Sequence, residues 1–352
     1  MRGDMSGGVV GIIANPASGK DIRRVVGHAA TVDNQGKVGI IRRALVGLGA
    51  VGVRRVLIMP DDYRLGERAL DGLSREALPC VEMVDMPVRG DAVDAERAAA
   101  QMQKAGARCI IVLGGDGTTR VVSKGAGDVP LLAISTGTNN VLPEFIEGTV
   151  AGMAAGALAT GWVARDDVAV RSKWLEIALS AQDGSPPIDD VALVDVALLA
   201  GRFVGARAIW NAADIKYVVV TRAHPAGTGI SALAGWICTI DADEPAGLAL
   251  TLDPGESRRV LAPLGPGLLS EVGIGEARTL MPGEMLEMIA EEPLLLALDG
   301  EREHALRPGD RVCITLRLDG PWLVDARRAV EALAARGFVR RPGVSQNTKA
   351  IQ

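Results

Sequence analysis

Two periodicities divide the chain. From residue 9 to about 147, short apolar runs alternate with helical patterns. The runs fall at 9–14, 54–59, 80–85, 108–113 and 130–134. Several are apolar without a break, as in 109–113 (CIIVL), which is how a strand buried on both faces of a parallel sheet reads. Helical patterns lie between them at 38–48, about 64–73 and 91–105. The last is opened by Asp91 as N-cap and stopped by Gly106. Strands alternating with helices imply βαβ units and a doubly wound, mostly parallel sheet.

An Ala/Gly-rich helix at 149–160 leads out of this half, and after Gly161 the pattern changes. Strand candidates now follow one another at 168–170, 173–180, 191–199, 216–221, 236–240, 248–252, 285–290, 294–298 and 311–318. The last alternates: Val312, Ile314, Leu316 and Leu318 share one face, and Arg311, Thr315 and Arg317 the other. Asp253-Pro-Gly255, Asp299-Gly300 and Pro308-Gly309-Asp310 supply turns. The expected organisation is an α/β domain at 1–160 and an antiparallel β-sandwich at 161–322. A closing segment at 323–352 follows, its helix capped by Asp325, ended by Gly337 and packed on the first domain.

Charge narrows the function classes. Lys and Arg number 38 against 43 Asp and Glu, a formal net charge of −5 in 352 residues. A nucleic-acid surface needs a basic stripe and often aromatic platforms. Five Trp, three Phe and two Tyr supply few. Nucleic acid is not an expected partner. Cys80, Cys109, Cys238 and Cys313 are far apart and read as reduced core residues of a cytosolic protein. With only three histidines, no structural metal site is expected. The apolar run at 9–14 is too short for a secretory leader, and glycines break the longest uncharged stretches. The reading is a cytoplasmic protein without a membrane partner.

In an open parallel sheet, ligands bind beyond the carboxyl ends of the strands. After the first strand comes Asn15-Pro16-Ala17-Ser18-Gly19-Lys20; after the fourth, Gly114-Gly115-Asp116-Gly117-Thr118-Thr119; after the fifth, Ser135-Thr136-Gly137-Thr138-Asn139-Asn140. Glycine lets backbone N–H groups approach phosphate oxygens, and a helix N-terminus adds a favourable dipole. One such loop is an ordinary strand-to-helix turn; three on one edge make a phosphate site. Asp116, between glycines, either holds a magnesium ion or accepts a proton from an attacking hydroxyl. Lys20 is either a phosphate cation or a solvated loop residue. Asp21 after it rules out a P-loop, which needs Ser or Thr there. His224 reads as a turn histidine, and Asp299-Gly300-Glu301 as a hairpin turn.

Taken together, Asn15-Pro-x-Ser-Gly19, Gly114-Gly-Asp-Gly-Thr118 and Gly137-Thr-Asn-Asn140 resemble the superfamily of NAD kinases, diacylglycerol kinases and sphingosine kinases. The stretch from Ile12 to Arg24, with Asp33-Asn-Gln35 and Met59-Pro-Asp61, is similar to the acetoin catabolism protein X branch. The resemblance implies a Rossmann-like domain followed by a β-sandwich, and a Mg²⁺-dependent transfer of phosphoryl from ATP to a hydroxyl of NAD. Asp116 would be the catalytic base. Asn15, Ser18, Gly19, Lys20, Gly114, Gly115, Gly117, Thr118, Thr138, Asn139, Asn140, Asp195, Gly227 and Thr228 would bind phosphate or nucleotide. Asp299 and Glu301 resemble the Asp-Gly-Glu of the lipid kinases, with a magnesium-related role. A homo-oligomer, dimer or tetramer, is implied as well.

Departures concentrate on the acceptor side. Where NAD kinases carry an Asn-Glu pair, this chain reads Val194-Asp195-Val196, and their Ser-Thr-Ala-Tyr run is replaced by Gly229-Ile230-Ser231. The alternatives left open are a kinase of the same fold acting on a small polyol, an acetoin-related alcohol or a lipid, and a catalytically silent dinucleotide-binding regulatory protein. ATP and polyphosphate both remain open as donor.

Overall fold

The structure, a computed structural model, describes residues 8–19, 32–74, 78–137, 140–201 and 212–338. The first half runs β1 (Val9–Ala14), α1 (Asn34–Ala50), β2 (Arg55–Ile58), α2 (Leu65–Leu70), β3 (Cys80–Met83), α3 (Ala92–Lys104), β4 (Ala107–Gly114), α4 (Asp116–Ala126), β5 (Leu131–Ser135), α5 (Gly148–Ala159), α6 (Arg165–Val168) and β6 (Ala169–Arg171). The second runs β7 (Trp174–Ser180), β8 (Ile188–Ala192), β9 (Asp195–Ala200), β10 (Ile215–Val220), α7 (Ile230–Gly235), β11 (Gly247–Leu252), β12 (Arg259–Gly265), β13 (Leu268–Leu280), β14 (Met285–Ile289), β15 (Leu294–Leu298), β16 (Glu301–Leu306), β17 (Arg311–Arg317), β18 (Trp322–Val324) and α8 (Ala326–Ala335).

Strands β3-β2-β1-β4-β5 form a parallel array, and β18 and β6 complete the same sheet. Its central strands β1 and β5 are apolar on both sides because both are covered. Ile41, Leu45 and Leu48 of α1, Ala151 and Ala154 of α5 and Leu333 of α8 lie in one core. Ala98, Ala99 and Met102 of α3 and Val122 of α4 lie in the other. The Ala/Gly composition of α5 serves close packing. A Cβ on Gly152 would stand 2.1 Å from the Ala44 carbonyl oxygen of α1, so only a bare backbone lets the two helices cross there.

The chain leaves β1 toward β2 on one side, while β4 lies on the other. The strand order therefore reverses between β1 and β4, and a crevice opens beyond their carboxyl ends.

In the second half, a seven-stranded sheet (β12-β13-β11-β10-β9-β15-β16) faces a four-stranded one (β14-β17-β7-β8). The middle of the larger sheet is covered on both faces, so its strands do not alternate. β15 is buried at every position, with Leu295 and Ala297 in one core and Leu296 and Leu298 in the other. Leu175 and Ile177 of β7 and Ile314 of β17 meet Leu296 and Leu298 in the space between the sheets.

Four sequence expectations need correction. The strand expected at 168–170 in the sandwich is β6, which pairs with β18 at the edge of the first sheet. The strand expected at 191–199 is two strands in different sheets, broken at Leu193 and Val194. The strand expected at 236–240 is the end of a helical turn and an isolated bridge from Ile240 to Ala223. Of the four cysteines only Cys109 is buried; Cys80 and Cys238 are exposed, and all four are free thiols.

Candidate active site

The three loops meet at the strand-order reversal. The Asn15 N–H donates to Leu113 O at 3.0 Å, and the Asn15 side chain donates through Nδ2 to Thr118 Oγ1 at 2.9 Å. Asn15 Oδ1 accepts the Ala17 N–H at 2.8 Å. The Ser18 and Thr136 hydroxyls lie 2.8 Å apart, and Thr136 N–H donates to Gly114 O at 3.1 Å. Asn140 Nδ2 donates to Ser135 Oγ at 2.7 Å. A Cβ on Gly115 would stand 2.7 Å from Asn140 Oδ1, so a larger residue there would push the Asn140 side chain aside. Gly19 is left-handed at φ 76°. Lys20, Thr138 and Asn139 lie outside the described residues.

Lys37, which no local motif marks, fixes the first loop. Its side chain is fully buried, and its Nζ donates to Asn15 O at 2.9 Å, Ser18 O at 2.7 Å and Asn34 Oδ1 at 3.2 Å. The available signal was a lysine on the apolar stripe of α1, four residues before Ile41.

Asp116 opens α4, with Gly115 before it in extended conformation. Its Oδ2 accepts the Val141 N–H and its Oδ1 the Leu142 N–H, both at 2.8 Å. Burial pushes its carboxyl up to about 7, against the pull of those two amides and with the help of nearby Asp299. The carboxylate is thereby held in one orientation, and each oxygen retains a second lone pair.

Asp299 comes from the β15–β16 turn, where it is left-handed at φ 49°. The turn is the hairpin the sequence suggested, but the side chain points inward. Its oxygens accept N–H groups from Leu193 (3.0 Å), Val194 (2.7 Å) and Asp195 (3.1 Å). Arg120 Nε of α4 lies 3.7 Å from its Oδ2. Burial raises its pKa, opposed by Arg120 and those amides. Arg222, just beyond β10, is half-buried; it donates to Ser172 Oγ at 2.8 Å, and Asp116 and Asp299 offset part of the desolvation that lowers its pKa. Arg120 and Arg222 escaped the sequence reading because their partners are distant in the chain.

Asp116, Asp195 and Asp299 enclose a pocket of about 40 Å³ together with Thr228 and Ser231. Gly227 stays in the preceding turn, its N–H on His224 O at 3.3 Å, and His224 Nδ1 accepts the Ala226 N–H at 3.2 Å. A cleft of about 300 Å³ adjoins the loops, bounded by Asn15, Asp61, Tyr63, Gly117, Thr118 and Glu301. A larger cavity of about 580 Å³ lies between the two sheets of the second half and includes none of the loop residues. Convergent polar groups, not volume, mark the site.

Among the described residues, no group of three or more His, Cys, Asp or Glu is placed to hold a metal ion. Asp299, with three amides on its oxygens and a guanidinium beside them, does not fit as a magnesium ligand; Glu301 borders the 300 Å³ cleft beside the loops. No helix among the described residues is long and apolar enough to cross a membrane.

Residues 10–161 match the family model of the ATP-NAD kinase N-terminal domain, and residues 173–319 that of the acetoin catabolism protein X C-terminal domain. The chain is 41% identical over 316 residues to acetoin catabolism protein X of Cupriavidus necator, covering 88% of this chain and 87% of that protein. Its fold is similar to that of the yeast NADH kinase complexed with NADH, with a TM-score of 0.55 at 16% identity, over 96% of this chain and 90% of that one. The first half thus matches an ATP-NAD kinase N-terminal domain and the second the acetoin catabolism protein X C-terminal domain, and the chain belongs to the acetoin catabolism protein X family.

Proposed function

We propose that the chain transfers the terminal phosphoryl group of ATP to a hydroxyl of NAD, with Asp116 as general base. The observation that carries this reading is a buried carboxylate, poised near neutrality and oriented by two backbone amides, where three glycine- and hydroxyl-rich loops meet. As the acceptor oxygen forms its bond to phosphorus, its proton passes to Asp116, the bond to the bridging oxygen breaks, and ADP leaves. The N-terminus of α4 and the loop groups of Asn15, Ser18 and Thr118 receive the phosphate oxygens. A magnesium ion would come with the donor's phosphates, beside Glu301, and supply charge neutralisation.

A second reading keeps this machinery and changes the acceptor to a small alcohol. It is favoured by the 40 Å³ pocket at Asp116, which has room for little more than one hydroxyl-bearing carbon, and by Asp195 in place of an Asn-Glu pair. ADP release from ATP and magnesium, measured against NAD and a series of small polyols and hydroxyketones, separates the two. Asp116→Asn is expected to lower the productive rate at least about 100-fold, within the range for losing a general base. Full activity in that variant contradicts the mechanism. No turnover with any acceptor, coupled to a rise in melting temperature with NAD, supports a binding protein instead.

A further inference from the structure

A buried guanidinium is costly unless carboxylates face it. Arg120 is 2% exposed and stands one turn after Asp116 on α4. Its Nη1 donates to Asp190 Oδ1 at 3.2 Å, and its Nε lies 3.7 Å from Asp299 Oδ2. The two carboxylates belong to different layers. Asp190 is in β8 of the four-stranded sheet, and Asp299 lies in the turn that follows β15 of the seven-stranded one. A single side chain therefore ties both sheets of the second half to the helix that carries Asp116.

Each carboxylate extends the connection. Asp190 also receives Lys124 Nζ, a further turn along α4, at 2.5 Å, and His304 Nε2 of β16 at 3.3 Å. Burial opposes its charge, but His304, Lys124 and Arg120 together hold its carboxyl well below the ordinary range, so Asp190 keeps its charge at neutral pH. Asp299 accepts the N–H groups of Leu193, Val194 and Asp195, and its own N–H donates to Asp195 O at 2.9 Å. The path ends on Asp195, which lines the small pocket together with Asp116.

We propose that Arg120 is a positioning residue of the reaction: it fixes Asp195 and Asp299 of the second half against Asp116 of the first. Its kinetic consequence rests on the phosphotransferase reading above. Groups carried on separate domains lose rate steeply when displaced by as little as an ångström, and a neutral side chain at 120 would take the shared cation from both carboxylates at once, leaving Asp299 to the amides of its own sheet.

The test compares the native chain with Arg120→Met, Arg120→Lys and Asp190→Asn, the last removing one arm of the clasp in case Arg120→Met does not fold. Amide hydrogen exchange at Leu193, Val194 and Asp195 needs no substrate; Arg120→Met is expected to exchange there at least about tenfold faster, and Arg120→Lys less so. With substrates, kcat is expected to fall about 100-fold with both KM values within about threefold of native, Arg120→Lys recovering part of the loss. Leu333→Ala, in the core under α8, serves as a variant of matched melting temperature that keeps native kcat. Unchanged exchange at 193–195 overturns the proposal, as does an Arg120→Met enzyme that loses only melting temperature. If the native chain transfers no phosphoryl group, the phosphotransferase reading fails, and exchange at 193–195 alone upholds or overturns the restraint.

Discussion

Asp116 must be ionised to accept a proton, and burial sets its pKa at about 7. The rate constant kcat/KM is therefore expected to climb about tenfold per pH unit below that value and level off above it. The same shift bears on stability. The folded chain binds the proton more tightly than the unfolded one, so this contribution is complete below about pH 4 and is lost as pH rises through about 7. Asp116→Asn removes the ionisation, so its melting temperature should fall less than the native one between about pH 5 and 8. An equal slope in both proteins refutes the burial argument. Lys37 makes a separate case. Lys37→Met leaves the Asn15 and Ser18 carbonyls without their buried donor, at a cost of about 2 kcal/mol. Urea unfolding should show that loss, and the donor KM should rise because the first loop is no longer held. The candidate loop residues were readable because glycine, hydroxyl and amide groups cluster locally in sequence. Lys37, Arg120 and Arg222 were not, since each is defined by partners across the fold.

At the scale of elements, Gly152 gives a prediction whose sign is informative. Alanine favours helix over glycine by about 1 kcal/mol, so Gly152→Ala would stabilise an isolated or surface helix. Here the new methyl meets the Ala44 carbonyl of α1, and the variant should lose about 2 kcal/mol in urea or thermal unfolding, in the range for overpacking. A gain in stability would show that α1 and α5 do not cross as described. The helices and parallel strands were legible because periods of 3.6 and unbroken apolar runs are local signals. The break between β8 and β9 was not. Residues 191–199 are continuously compatible with a strand, and the interruption comes from Asp299, more than 100 positions away, taking three of their N–H groups. Strands β12 and β13 were also missed. Pro263 in the first and Gly273 and Gly275 in the second weaken the alternation that would mark them.

Across the whole molecule, the chain does not simply finish one domain and start another. After the second half, β18 returns to pair with β5 and β6 in the first sheet, and α8 packs into the first core through Ala329 and Leu333. Asp116 is thus presented by the first half, and Asp195 and Asp299 by the second, on a frame closed at both ends. Sequence patterning revealed the two halves, their order and a closing helix packed on the first, but not the strand β18, because a three-residue strand carries almost no periodic signal. In the proposed reaction Asp116 accepts the proton of a hydroxyl being phosphorylated. The most direct measurement is phosphorylated product and ADP together, by mass spectrometry, from native and Asp116→Asn chains supplied with ATP, magnesium and the acceptor panel. The native chain should form the two in equal amounts with at least one acceptor, and Asp116→Asn should form both at least about 100-fold more slowly. Equal rates in the two proteins would contradict the account.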